Sequence, residues 1–171
     1  MRVIGGKLRG KLIHNPTDKT TRPLKDMVRE SIFNILEHSK NEKIKFKNDV
    51  VLDLFSGSGS FGIECLSRGS KKVVFVENYS GVLPILKKNL LSLKIDKNYE
   101  ILENDIYNDK ALSKLKNKFD IVFLDPPFKD KNLNEFLLKL INFKILNKNG
   151  LIIGKIQIEV LSSFLLKHFF R

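Results

Sequence analysis

Cysteine is almost absent from this 171-residue chain: Cys65 stands alone, which excludes an internal disulfide. The three histidines, His14, His38 and His168, are scattered without the cysteine or carboxylate spacing of a metal site, so no metal is expected. No apolar run reaches the roughly 20 residues that a helix needs to cross a bilayer. The opening MRVIGGKLRG is not a signal peptide. A cytoplasmic monomer without membrane contact is therefore expected. Internal repeats and long low-complexity tracts are also missing. Acids are outnumbered, with 19 Asp and Glu against 31 Lys and Arg.

What is present is a sizeable apolar fraction, 42% with 13 Phe, enough for one core-bearing domain. The net charge of +12 and a pI near 9.8 point to a polyanionic partner. Placement sharpens this, because residues 1–48 carry 12 Lys and Arg against 5 Asp and Glu. Residues 2–13, RVIGGKLRGKLI, predict two short strands around a Gly5-Gly6 turn, decorated by Arg2, Lys7, Arg9 and Lys11. On a strand, Lys7, Arg9 and Lys11 share one face, which suits a phosphate backbone contacted without base readout. A solvated hairpin that covers a core edge is the alternative.

A polar linker over residues 15–21 follows, and beyond Arg22-Pro23 the period changes. Val28, Ile32, Ile35 and Leu36 fall on one face of a predicted helix reaching about His38. Lys25 and Arg29 lie one turn apart on another face, where they would display cations near the mouth of the next domain. The polar stretch 39–48 marks a boundary, giving a basic extension over 1–48 and a main domain over 49–171.

From residue 50 strands and helices alternate. Strands are predicted over 50–55, 72–76, 99–102, 121–124 and 151–156, with helices over 60–67, 80–93, 111–115 and 133–141. This pattern predicts an α/β fold with a mostly parallel, doubly wound sheet that collects ligands at the carboxyl ends of its strands. The chemistry-bearing residues stand at those ends. DLFSGSGSFG, residues 53–62, follows the first strand and formally satisfies G-x-G-x-x-G at Gly57, Gly59 and Gly62, with Glu77 closing the next strand. An acid there can hold ribose hydroxyls. Asp53 would repel a nearby pyrophosphate but can accept hydrogen bonds from an ammonium group, so S-adenosylmethionine fits better than a dinucleotide. A purely structural glycine turn and a nucleotide-dependent oxidoreductase are the alternatives. Asp105, after the third strand, could accept from an adenine amino group, with Ile106 offering an apolar face. FDIVFLDPPF, residues 119–128, ends a fourth strand at Asp125. Pro126 and Pro127 leave the ladder in a stiff conformation. A carboxylate, a proline carbonyl and the Phe128 ring together make a slot for a planar group bearing an amine; an Asp-capped turn is the bland reading.

With these motifs the chain resembles class I S-adenosylmethionine-dependent methyltransferases of Rossmann-like fold, with DLFSGSG as the cofactor loop and DPPF as the motif of amino-group N-methylation. RVIGGKLRGKLI and TRPLKDMVRESIFNIL in front make it similar to the RsmD family, whose members methylate the exocyclic N2 of one guanine in 16S ribosomal RNA. The resemblance spans roughly residues 1–150. It implies cofactor contact by Phe55, Gly57, Gly59, Glu77 and Asp105, with Asp53 near the methionine amino group. It also implies catalysis by Asp125, Pro126, Pro127 and Phe128, and contact with RNA, free or in a small-subunit assembly particle, by the basic hairpin and Arg22, Lys25 and Arg29. An adenine N6 or amide nitrogen as target, and a non-catalytic RNA-binding assembly factor, are the rival readings. Family members continue into a further helix and an antiparallel strand pair. Here the end reads GKIQIEVLSSFLLKHFFR, so at least one final strand is expected to be absent.

Overall fold

The computed structural model describes residues 1–16, 26–38, 46–115, 118–126 and 132–154. Five strands, β1 (Val50–Leu54), β2 (Lys72–Val76), β3 (Tyr99–Leu102), β4 (Phe119–Leu124) and β5 (Leu146–Gly154), form one sheet in the order β3-β2-β1-β4-β5. Every neighbouring pair is parallel, as the alternation of strands and helices predicts. The helices are α1 (Asp26–His38), α2 (Ser60–Arg68), α3 (Leu83–Ser92), α4 (Asp109–Leu112) and α5 (Leu133–Asn142). None of the helices among the described residues is long and apolar enough to cross a membrane.

The inner strands are hydrophobic on both faces, and the two-residue period sorts their side chains into two layers. Val51, Val73, Phe75, Ile121 and Phe123 enter a core shared with α1, α2 and α3. Leu52, Leu54, Val74, Val76, Val122 and Leu124 enter a second core shared with α4 and α5. The chain order reverses direction across the sheet between β1 and β4, so the carboxyl ends of those two strands flank the switch point where this architecture opens a crevice.

β5 starts earlier than its apolar run suggests. The step from Phe119 to Ile121 on β4 is spanned by Leu146 to Leu151 on β5, a register shift. Asp120 occupies that step, accepting from Val50 N at 2.8 Å and from Asn147 Nδ2 at 2.5 Å. α4 likewise begins early, because the Asn108 side chain accepts from Lys110 N and caps it.

The N-terminal segment corrects two expectations. In place of a two-strand hairpin turning at Gly5-Gly6, only Arg2 and Leu12 form an antiparallel bridge, and a single 3-10 turn spans Gly6–Leu8. The reason is docking. The buried carboxylate of Glu64 on α2 accepts from Ile4 N at 2.8 Å and Gly5 N at 2.6 Å, and Ser67 Oγ accepts from Leu8 N while donating to Gly5 O. These bonds draw the glycines onto the end of α2 instead of leaving them in a solvent-facing turn. Lys7, Arg9 and Lys11 therefore do not line one strand face, although all three are exposed, as is Arg2.

α1 is rotated relative to its expected face. Phe33 and Leu36 are buried, with Phe33 5.0 Å from Phe61 and 5.2 Å from Phe46, whereas Val28 and Ile35 are 44% and 66% exposed. The sequence offers two apolar stripes, and the aromatic one wins because large rings release more free energy on burial. That rotation turns Arg29 inward. It is fully buried, its guanidinium bonded to Arg2 O, Met1 Sδ and Asp26 Oδ1, so the expectation that it contacts RNA is overturned. Val3, Ile13, Phe33 and Phe46 share one apolar layer with the sheet.

Gly6 carries the closest approach. Its φ is +71°, and a Cβ placed there would stand 2.0 Å from Ser67 O, which is backbone that cannot swing aside. Gly6→Ala is expected to cost at least about 2 kcal/mol of stability, combining left-handed strain with the clash. Urea unfolding measures this; wild-type stability in the variant would contradict the docking of the N-terminal segment on α2.

Candidate active site

Four acids terminate adjacent strands, in the spatial order Asp105, Glu77, Asp53, Asp125. Asp53 is the deepest. It lies one residue before the end of β1, in register with Phe75 on β2 and Phe123 on β4, and is 1% exposed. The Phe61 ring stacks on Phe123 at 3.9 Å, closing an apolar wall on the same layer. Asp53 Oδ2 accepts from Gly62 N in the first turn of α2 at 2.9 Å. Burial pushes its carboxyl well above the usual carboxylate range. The Gly62 N–H opposes this, and the Asp125 and Glu77 charges add to the rise.

The loop between β1 and α2 is shaped by left-handed residues: Phe55 (φ 57°), Gly57 (φ 55°) and Gly59 (φ 79°). Phe55 is the costly member of this set, since it has a Cβ, and its ring is held in the second core layer 5.7 Å from Tyr107 and 6.2 Å from Phe136. Gly57 differs from it. A Cβ there would meet nothing closer than Phe55 O at 4.0 Å, so the backbone borders open space that a ligand can enter.

Glu77, next after β2, fastens the loop to the adjacent strand. Its Oε2 accepts from Gly57 N at 2.8 Å, and its Oε1 accepts from Asn78 N and Tyr79 N. A carboxylate accepts about four hydrogen bonds, and three of these positions are taken by the described residues. Asp105 is exposed, and its Oδ1 accepts from Tyr107 N at 3.1 Å. Next to it, Ile106 turns its side chain into the second core layer, where it is buried. Asp125 and Pro126 follow β4 directly and are half-buried. Pro127, Phe128, Arg22 and Lys25 fall outside the described residues.

A cluster of carboxylates in which burial dominates, with no lysine or arginine among the described groups acting on Asp53, favours a ligand that brings hydrogen-bond donors or positive charge. S-adenosylmethionine fits these residues. The glycine loop leaves room for it, Asp53 and Glu77 supply acceptors, and no cationic phosphate cradle is present among them.

Two polar anchors escape a reading by motif. Glu64 sits between Ile63 and Cys65 in an apolar helix, and Asn89 sits between Leu86 and Leu90 on the buried face of α3. A polar residue inside an apolar stripe was the available signal. Their partners in the N-terminal segment, however, lie 59 to 75 residues away in sequence.

The sheet order and the loop after β1 define a Rossmann-like methyltransferase domain. The solved structure described as "Putative methyltransferase yhhF from Escherichia coli" superposes with a TM-score of 0.71 at 32% identity, covering 93% of this chain and 81% of that one. The chain belongs to the RsmD family of S-adenosylmethionine-dependent methyltransferases, and the family model described as "Conserved hypothetical protein 95" matches residues 1–164. Among its relatives are the "Putative rRNA methyltransferase YlbH" of Bacillus subtilis (strain 168), 35% identical over 161 residues that make up 94% of this chain and 84% of the relative. Another is the "Ribosomal RNA small subunit methyltransferase D" of Buchnera aphidicola subsp. Baizongia pistaciae (strain Bp), 37% identical over 152 residues, 89% of this chain and 74% of the relative.

The raised Asp53 carboxyl has a signed consequence. A carboxyl whose folded value lies above its unfolded one favours folding when protonated, so stability falls as pH rises from the unfolded value, about pH 4, through the folded one. Asp53→Asn keeps an acceptor for Gly62 N but cannot ionise. Its stability is expected to fall less than that of the wild type across that window and to lie above wild type at neutral pH; urea unfolding over a pH series checks this, and parallel curves would contradict it.

Proposed function

We propose that the protein methylates the exocyclic N2 of a guanine in 16S ribosomal RNA, within the cytoplasm and on a small-subunit assembly particle. The observation that carries the reading is the seating of Asp125, followed by Pro126, directly after β4, whose last residue Leu124 pairs with Leu54, the residue after Asp53 on β1. The acceptor pair thus borders the glycine loop across the switch point. When bound, S-adenosylmethionine supplies a methyl group activated by its sulfonium.

The target nitrogen is a poor nucleophile, because its lone pair is delocalised into the ring. Asp125 and the Pro126 carbonyl accept its two N–H bonds, which favours a pyramidal nitrogen with the lone pair directed at the donor. Pro127 stiffens the backbone and Phe128 stacks on the base, roles that rest on the DPPF motif. Only an unpaired or flipped base can enter such a slot. Exposed Arg2, Lys7, Arg9 and Lys11, together with Arg22 and Lys25, contact the phosphate backbone. Relatives named as small-subunit ribosomal RNA methyltransferases support this substrate class.

Asp125→Ala is expected to lower methyl transfer to 16S ribosomal RNA by at least about 100-fold while S-adenosylmethionine still binds; unchanged transfer would sink the assignment. Charge reversal of Arg9 and Lys11 is expected to weaken RNA binding and flatten its salt dependence. An unaltered salt slope would remove the N-terminal cations from the RNA interface.

A further inference from the structure

Asn89 joins the N-terminal segment to the cofactor loop through one side chain. It lies on α3 and is 0% exposed. Its Oδ1 accepts from His14 N at 2.8 Å, and its Nδ2 donates to His14 O at 2.9 Å and to Ser58 O at 2.9 Å. The carboxamide thus pairs with His14 as a strand would, and its second N–H reaches the loop.

The receiving carbonyl is an informative one. Ser58 sits between Gly57 and Gly59, both left-handed, in the most pliable part of the loop. The peptide that carries Ser58 O also carries Gly59 N, which donates to Ser56 O at 2.7 Å. Asn89 therefore fixes one end of this peptide plane, and the loop's own turn fixes the other. Glu77 holds the preceding amide of Gly57. The direction in which the loop presents its amides depends on these few bonds.

On the other side, His14 follows directly on the segment that exposes Arg2, Lys7, Arg9 and Lys11, and precedes the stretch bearing Arg22 and Lys25. No other side chain of similar length substitutes for Asn89. A carboxylate would set oxygen against two carbonyls, and an alkyl group would leave three backbone groups unpaired, the buried Ser58 O among them. Asparagine is also a poor helix former, so local propensity does not account for it.

We propose that Asn89 is a positioning residue that couples RNA engagement by the N-terminal segment to the conformation of the cofactor loop, so that each ligand strengthens the other. This rests on the methyltransferase reading above. RNA held on the cations that flank His14 adds to the bonds that already seat the segment, His14 holds the Asn89 amide, and the amide holds Ser58 O. Coupling of this kind is reciprocal.

The test is the affinity for S-adenosylhomocysteine by titration calorimetry, alone and with a saturating 16S ribosomal RNA transcript. In the wild type, RNA is expected to tighten binding at least about fivefold. Asn89→Leu is expected to abolish the ratio and to weaken binding in the absence of RNA. A purely structural asparagine would instead lower thermal stability and shift both affinities equally. His14→Pro gives an independent arm should Asn89→Leu fold poorly: it deletes the N–H that Asn89 accepts but leaves the Ser58 bond, so the ratio falls while affinity without RNA stays near wild type. A preserved ratio in these variants, or no tightening in the wild type, overturns the coupling. Failure of the wild type to bind S-adenosylhomocysteine at all overturns the cofactor reading, and the coupling with it.

Discussion

A carboxylate held in an apolar layer at the end of β1 is the constraint around which this molecule is arranged. Asp53 is walled by Phe75, Phe123 and the ring of Phe61 stacked on Phe123, receives one N–H from α2, and feels Asp125 and Glu77 from the flanking strands. A hydrophobic residue in that position would serve the core better. The arrangement makes sense when the missing donors come from a ligand at the switch point. Parallel pairing then does the rest, because it brings the ends of four strands to one edge and sets the acceptor after β4 beside the loop after β1.

The second organising feature is how closely the N-terminal segment is tied to the catalytic fold. Polar bonds run from Glu64, Ser67 and Asn89 to its backbone, while Val3 and Ile13 enter the core. Arg68 adds a further tie, bonded to Glu64 and Glu37 and lying 4.7 Å from the centre of the Phe33 ring. Such a segment presents its cations from a defined position.

Much of this was legible in the sequence, for identifiable reasons. The strands read well because both faces of β1, β2 and β4 are buried, leaving near-continuous apolar runs that no helix period imitates. The loop after β1 read well because glycine spacing and a flanking acid are local signals. The rest depended on tertiary choice. α1 had two apolar stripes, and only packing against Phe46 and Phe61 selects Phe33 over Ile35. Gly5-Gly6 has the look of a turn, yet the glycines exist to let the backbone touch α2. Arg29 read as a surface cation, because nothing local shows that Arg2 O and Met1 would close over it. Asn89 and Glu64 are invisible as anchors until partners distant in the chain are known.

In the proposed function, the acceptors after β4 hold an exocyclic amine of a ribosomal guanine. The most direct measurement is transfer of a labelled methyl group from S-adenosylmethionine to 16S ribosomal RNA, free and in small-subunit particles, followed by nucleoside identification. N2-methylguanosine is expected, with the higher yield on particles. Label in N6-methyladenosine, or no label in ribosomal RNA at all, would contradict it.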